Sequence, residues 1–370
     1  MTISKVALFC DFLNSVGGTE YYNTTLAIEL KKRGIDVRVF IGEKTKLTHW
    51  TNILSKYNIP YYEPTRQHSV LSSRQIETNF IRNRVISILD KWHPDVIHCS
   101  PAGKMLLAFL ETKQQNSIPI IATEYTTPSP TTAHWYQKDL PNKVNKINAF
   151  IATCKASARG IRNFHGYKGH IKVIRHLISH KQTQDKFIYN QSVACIARLS
   201  PEKGVGFLLG AWKIVASKCP KATLHIYGHG YAEEYLRELT KSLGIEKSVL
   251  FHGIYPPEKG ISSIVKKHQI FIQPSMFESI STSTIELMGY AKPIIATNAG
   301  GTKEIINKKT GILIPVASTD ILAKKIITLL REPTLCEYYG RNAKQYFMTE
   351  YDLKNNIEKT IDLYKKVIRQ

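Results

Sequence analysis

Short runs of β-branched and apolar residues alternate with longer segments of helical period along the whole chain, the form in which a parallel sheet wrapped by helices appears in sequence. The first half predicts strands at 6–10, 36–41, 95–98, 118–122, 149–152 and 172–174, with helices near 19–33, 73–92, 102–113 and 155–163. Residues 176–191 then break the pattern with polar composition and no period. A second series follows, with strands at 193–197, 222–227, 249–252, 270–273, 293–297 and 312–315, and helices near 204–218, 233–243, 258–267, 282–290 and 320–330. The expected architecture is α/β: a domain at 1–178, a linker at 179–191, a second domain at 192–350, and a closing helix at 351–370 that packs back on the first. Doubly wound sheets of this kind take ligands outside the carboxyl ends of their strands, so function is expected in a cleft between two facing domains.

Composition supports two soluble cores, with 370 residues of which 43% are hydrophobic and 22% charged. The longest apolar runs, such as Val6 to Cys10, reach about a quarter of the ~20 residues a membrane span needs. The opening Met1-Thr2-Ile3-Ser4-Lys5 leads to Asp11 after one short apolar run, which reads as a cytoplasmic start without a secretory signal. Six scattered cysteines show no C-x-x-C pair and no zinc spacing, so reduced, buried thiols are expected. The charge is strongly basic, with 51 Lys+Arg against 29 Asp+Glu, or +22. It is spread: residues 1–175 hold 24 basic and 12 acidic side chains (+12), and 176–370 hold 27 and 17 (+10). A solvated basic surface accounts for this, and so does an anionic partner such as a membrane leaflet. Nucleic acid is not expected, because the cations are not interleaved with aromatics in a binding module.

Four strand-end segments carry candidate chemistry. Gly17-Gly18 opens the first helix, where two glycines let backbone N–H groups approach a phosphate; a tight turn without a ligand explains the pair equally well. Ala197-Arg198-Leu199-Ser200-Pro201-Glu202-Lys203-Gly204 places two cations five residues apart across a turn, which suits a diphosphate, or else leaves two solvated surface charges. In Tyr227-Gly228-His229-Gly230, Gly228 and Gly230 offer a phosphate- or base-facing turn, but the third glycine of a dinucleotide fingerprint is missing, and a plain turn is the simpler reading. The most specific segment is Pro274-Ser275-Met276-Phe277-Glu278, followed by the N-cap candidates Ser281, Thr282 and Ser283, and then by Glu286 on the next helix. Helical side chains lean toward the N-terminus, so Glu286 can accept hydrogen bonds from ribose hydroxyls while Glu278 meets a sugar ring. Gly300-Gly301-Thr302-Lys303-Glu304 repeats the arrangement of glycines before a helix.

In order and placement these motifs resemble the retaining family 4 glycosyltransferases of the GT-B fold. The resemblance covers nearly the whole chain and is strongest from Val193 to Pro315. The family's G-R-L-x-x-x-K-G, P-S-x-x-E, a Glu eight positions on, and G-G-x-x-E stand here as Ala197 to Gly204, Pro274 to Glu278, Glu286, and Gly300 to Glu304. The resemblance implies two Rossmann-like domains and a nucleotide-sugar donor. It places Arg198 and Lys203 on the diphosphate, Glu278 by the donor sugar, Glu286 on the ribose, and Gly17 and Gly18 against the phosphates. Ser281, Thr282, Gly228 and Gly230 belong to the same donor-binding set. The chain departs from the family at Ser279, Ser281 and Ser283, where Gly and Pro are common, and at His176-Leu177-Ile178-Ser179, where an Asn-Gly-Ile-Asp run is common. A family histidine that contacts the donor sugar is replaced in Thr123-Glu124-Tyr125, leaving Glu124 and Tyr125 as candidate sugar or acceptor contacts.

The expected reaction is transfer of a hexose or N-acetylhexosamine from a UDP-sugar to a polysaccharide, lipopolysaccharide or lipid-linked precursor, with retention at the anomeric carbon. No D-x-D motif occurs, so neither a catalytic metal nor a cofactor is expected, and the two cations with the helix N-terminus take over the electrostatic work. Peripheral docking on an anionic inner leaflet would use Arg66, Arg74, Arg82, Arg84, Lys138, Lys143 and Lys146. The rival reading is a non-catalytic glycosyltransferase-like subunit that binds sugar or stabilises a partner.

Overall fold

The computed structural model describes residues 2–14, 17–46, 48–64, 78–112, 118–135, 139–179, 187–255 and 260–369. The chain divides into two compact units, 1–179 with 353–370, and 180–352.

The first unit is built on a seven-stranded sheet in the order β3-β2-β1-β4-β5-β6-β7. Its strands are β1 Lys5–Cys10, β2 Asp36–Ile41, β3 Tyr61–Tyr62, β4 Val96–Cys99, β5 Ile120–Glu124, β6 Ala149–Ala152 and β7 His170–Val173. Every pair is parallel, and β1 lies between β2 and β4, with Ala7 opposite both Arg38 and Ile97. Residues 6–10 and 96–99 are wholly buried, as parallel strands covered on both faces must be, which is why they read as unbroken apolar runs. The helix Leu353–Ile368 joins this unit, with Ile357, Ile361, Tyr364 and Val367 entering the core around Val6, Leu8 and Leu26. Their spacing of three or four residues is that of one helical face.

The second unit carries a six-stranded parallel sheet in the order β10-β9-β8-β11-β12-β13. Its strands are β8 Ser192–Ile196, β9 Thr223–Tyr227, β10 Val249–Phe251, β11 Ile270–Gln273, β12 Ile294–Thr297 and β13 Ile312–Ile314. Cys195 of β8 faces Ile226 on one side and Ile272 on the other. Trp212 on the helix Val205–Lys218 fills the core beneath them, its indole N–H donating to Ser248 Oγ at 3.0 Å.

Several elements differ from the sequence expectation. β5 runs two residues further than 118–122 suggests, so Glu124 ends the strand instead of following it. The helix expected at 73–92 is described from residue 78 and contains a π-turn over Ile81–Val85. Of the helix expected at 258–267, only Ser262–Val265 is helical among the described residues. Gly300-Gly301 leads into a single 3-10 turn, Thr302–Glu304, and not into a longer helix. The helices His49–Lys56 and Pro333–Glu350 and the strand β3 were not expected. All six cysteines are buried and free.

Candidate active site

In the second unit the strand order reverses at β8, which starts the chain through the sheet yet lies between β9 and β11. A crevice opens at such a reversal beyond the carboxyl ends of the strands, here between the loops 197–204 and 274–281. Backbone hydrogen bonds zip the first loop to the one after β9: Ala197 N donates to Tyr227 O and Leu199 N to His229 O, both at 3.0 Å, and Ala232 N returns to Leu199 O at 3.0 Å. That closeness explains the two glycines of the β9 loop. A Cβ on Gly228, whose φ is +135°, would fall 1.8 Å from Ala197 O, and one on Gly230 2.2 Å from Leu199 O. On the other flank Met276 N donates to Glu202 O at 2.7 Å, and a Cβ on Gly204 (φ +67°) would lie 2.0 Å from Pro274 O. Gly228, Gly230 and Gly204 thus let three loops come together.

Each of the two cations carries a carboxylate. Lys203 Nζ lies 2.6 Å from Glu278 Oε2, with side chains only 19% and 13% exposed. Ser275 Oγ also donates to Glu278, at 3.4 Å, and is itself held by Gln273 Nε2 at 2.8 Å. Arg198, 65% exposed, donates through Nη2 to Glu202 Oε1 at 3.0 Å, and Ser200 Oγ donates to the same oxygen at 2.5 Å. Burial alone would push the Glu202 carboxyl up, but the Ser200 hydrogen bond and the nearby Arg198 and Lys203 charges hold it below the usual range. Both cations therefore lie close to one carboxylate.

The helix Thr282–Gly289 starts at the same rim. Ser281 caps it by accepting from Thr284 N at 3.4 Å, and Ser283 Oγ reaches back to Ile196 O, the last residue of β8, at 3.3 Å. Glu286 stands one turn in, half-buried, and no described residue hydrogen-bonds its carboxylate. Burial raises its pKa to about 7. The Tyr255 phenol sits beside it, its own pKa raised by burial and then by the Glu286 charge. Sequence reasoning missed Tyr255 and the role of Glu202 as a partner of Arg198.

The first unit is different. Gly17 is the N-cap of the helix Gly18–Lys32, and its carbonyl accepts from Tyr21 N at 3.1 Å. Glu124 is buried, with Oε1 accepting from Thr126 N at 2.8 Å and Thr126 Oγ1 at 2.6 Å. The Tyr125 hydroxyl meets Ser100 Oγ and donates to Asn23 Oδ1 at 3.3 Å. Both candidate contacts thus spend their polar ends on protein partners. The Tyr125 ring packs against Tyr22 and His176, and burial lowers the His176 pKa to about 4. Asp11, beyond β1, is buried and accepts from Lys104 N at 3.0 Å and Met105 N at 2.9 Å, capping the helix Lys104–Thr112.

Of the cations considered for a membrane face, Arg66, Arg74 and Lys138 lie outside the described residues. Arg84 stacks over Tyr62, Lys143 pairs with Glu111 at 2.6 Å, and Arg82 and Lys146 are exposed. No described helix is long and apolar enough to cross a membrane. Among the described residues no three His, Cys, Asp or Glu side chains are grouped to hold a metal ion.

Residues 178–346 match the sequence profile of Glycosyl transferases group 1, and residues 16–182 that of Glycosyltransferase Family 4. The two glycosyltransferase profiles together span residues 16–346, each matching a little under half of the chain. An uncharacterized glycosyltransferase of Haemophilus influenzae is 31% identical over 181 residues, covering 48% of this chain and 49% of that one. The poly(ribitol-phosphate) alpha-N-acetylglucosaminyltransferase of Staphylococcus aureus is 24% identical over 231 residues, covering 62% of this chain and 46% of its own. The chain thus spans about half the length of these curated relatives. Among solved structures, HepE of Anabaena in complex with UDP and glucose superposes with a TM-score of 0.79 at 21% identity, covering 98% of this chain and 99% of its own. Sucrose-phosphate synthase of Thermosynechococcus elongatus gives 0.83 at 15% identity, with 99% of each chain covered. At these identities the likeness is one of fold, and that fold is GT-B.

Proposed function

We propose that this glycosyltransferase moves a hexose or N-acetylhexosamine from a UDP-sugar to a cell-surface glycan precursor, with retention and without a metal ion. The supporting observation is the pairing at the β8/β11 reversal, where two cations stand on one loop, Arg198 held by Glu202 and Lys203 on Glu278, a carboxylate that a diphosphate can replace as partner. Arg198 supplies a planar fork and Lys203 a point charge, a combination suited to phosphate oxygens. Glu286, half-buried and with no hydrogen bond to its carboxylate among the described residues, accepts from ribose hydroxyls. Glu278, released from Lys203, faces the donor sugar, and the N–H groups of the helix capped by Ser281 add positive potential at Thr282.

In the reaction the bond from the anomeric carbon to the diphosphate oxygen breaks, and a bond to the acceptor oxygen forms on the same face. The acceptor's proton passes to the departing phosphate oxygen. Lys203 and Arg198 neutralise the charge that grows there, which is electrostatic stabilisation of the transition state. UDP bound to HepE, and the N-acetylglucosaminyl transfer in the name of the S. aureus relative, favour a UDP-linked sugar. A saccharide or lipid-linked acceptor, and the anionic membrane face that would present it, belong to the same proposal.

The test is thermal-shift screening against UDP, GDP, ADP and their sugars with no metal added. A selective rise with UDP and one UDP-sugar is expected, since a ligand at 100 times its Kd stabilises by about 2.7 kcal/mol. No rise with any nucleotide overturns the proposal in favour of a non-catalytic subunit.

A further inference from the structure

We propose that Glu202 is a positioning residue for the donor diphosphate, holding the Arg198 guanidinium in place and fixing the loop after β8 to the loop after β11. The inference rests on the donor-site reading above and adds to it a residue that touches no substrate. Through its side chain Glu202 accepts from Arg198 Nη2 at 3.0 Å and from Ser200 Oγ at 2.5 Å. Through its backbone carbonyl it accepts from Met276 N at 2.7 Å and Phe277 N at 3.4 Å, both on the loop that carries Glu278. One residue thus joins the two loops that line the crevice and ties down the more exposed of its two cations.

The anchor is less exposed than what it holds. Glu202 is 17% exposed while Arg198 is 65% exposed, and a long arginine side chain without a partner spreads over many rotamers that a ligand must then freeze. A neighbouring hydroxyl, Ser200, fixes the carboxylate so that it presents one oxygen to the guanidinium.

The sign of the effect makes the proposal testable. A carboxylate beside a diphosphate repels it, so on charge alone the removal of Glu202 tightens binding. Positioning predicts the reverse. Calorimetric titration of UDP at fixed ionic strength compares the wild type with Glu202→Ala, Glu202→Gln, Arg198→Ala, and the double Arg198→Ala/Glu202→Ala variant. Glu202→Ala is expected to weaken UDP about tenfold, in the range of coupled neighbours. Glu202→Gln keeps an acceptor oxygen, drops the charge, and is expected to bind within about twofold of the wild type. The double variant is expected to bind no more weakly than Arg198→Ala, because the effect passes through the guanidinium.

Unchanged or tighter binding by Glu202→Ala overturns the proposal while the donor-site reading stands. An undiminished loss in the Arg198→Ala background also overturns it, because the effect of the Glu202 side chain then does not pass through the guanidinium. A wild type that binds none of UDP, GDP or ADP removes the donor site itself, and the positioning role with it.

Discussion

The two units share a topology, each with its first strand flanked by its second on one side and a later strand on the other, yet they use the rim beyond that strand differently. After β8, charged groups stand partly open: Arg198 and Lys203 are paired with carboxylates, and Glu286 has no described partner. After β1 and β5, polar groups turn inward: Asp11 caps a helix, Glu124 holds Thr126, and Tyr125 holds Ser100 and Asn23. A strand reversal gives a place for a ligand, and the side chains on its loops decide whether the place is offered or filled.

The largest expected effect breaks that contrast if it fails. Lys203→Ala removes a cation from the rim after β8 and should cost donor turnover about 10²–10³-fold, the effect of losing one donor of an oxyanion hole. Tyr125→Phe in the first unit removes only the internal hydrogen bonds to Ser100 and Asn23 and should cost about 1 kcal/mol of stability with turnover within a few-fold. Steady-state kinetics beside a melting curve for each variant checks the pair. Equal losses of turnover would place the chemistry in both units.

A smaller effect sharpens the contrast through pH. Glu286 has its folded pKa raised to about 7 by burial, so in the free protein its carboxyl is half protonated near neutrality. If the ionised form accepts from ribose, kcat/KM for the donor should rise as pH increases through about 7, and Glu286→Gln should flatten that limb. The first unit is expected to respond in stability instead. Burial lowers His98 to about 3 and His176 to about 4, against about 6.5 unfolded, so their contribution is full above pH 6.5 and is lost as pH falls toward the folded values. Asp11, raised to about 6 by burial despite its two N–H donors, works in the opposite direction, so the melting curves of His98→Gln and wild type are compared as a difference.

Most strands were legible within a residue or two, because parallel strands buried on both faces leave continuous apolar runs. The two-residue β3 carries too little pattern to be seen. The helix Pro333–Glu350 was missed because it buries Cys336, Gly340, Ala343 and Phe347, a face that uses small residues where an apolar stripe was sought. The reason is close approach, since a Cβ on Gly340 would meet Ala291 O at 2.1 Å. At the site, Arg198, Lys203, Glu278 and Glu286 were legible as charged residues at strand ends. Their pairing was not, because Glu202 four residues after Arg198 looks like any surface acid, and Tyr255 reaches Glu286 only through the fold. Gly228 and Gly230 read in sequence either as a plain turn or, through the family resemblance, as part of the donor-binding set, and the close approach of the Ala197 and Leu199 backbone, which requires glycine at both, was not legible.

The most direct measurement is a crystal structure of the protein with UDP bound. The account predicts the diphosphate against Arg198 and Lys203, the Lys203 ammonium drawn off Glu278, and the ribose hydroxyls within hydrogen-bond distance of the Glu286 carboxylate. A nucleotide bound away from the loops 197–204 and 274–281, with the Lys203–Glu278 pair intact, would contradict it.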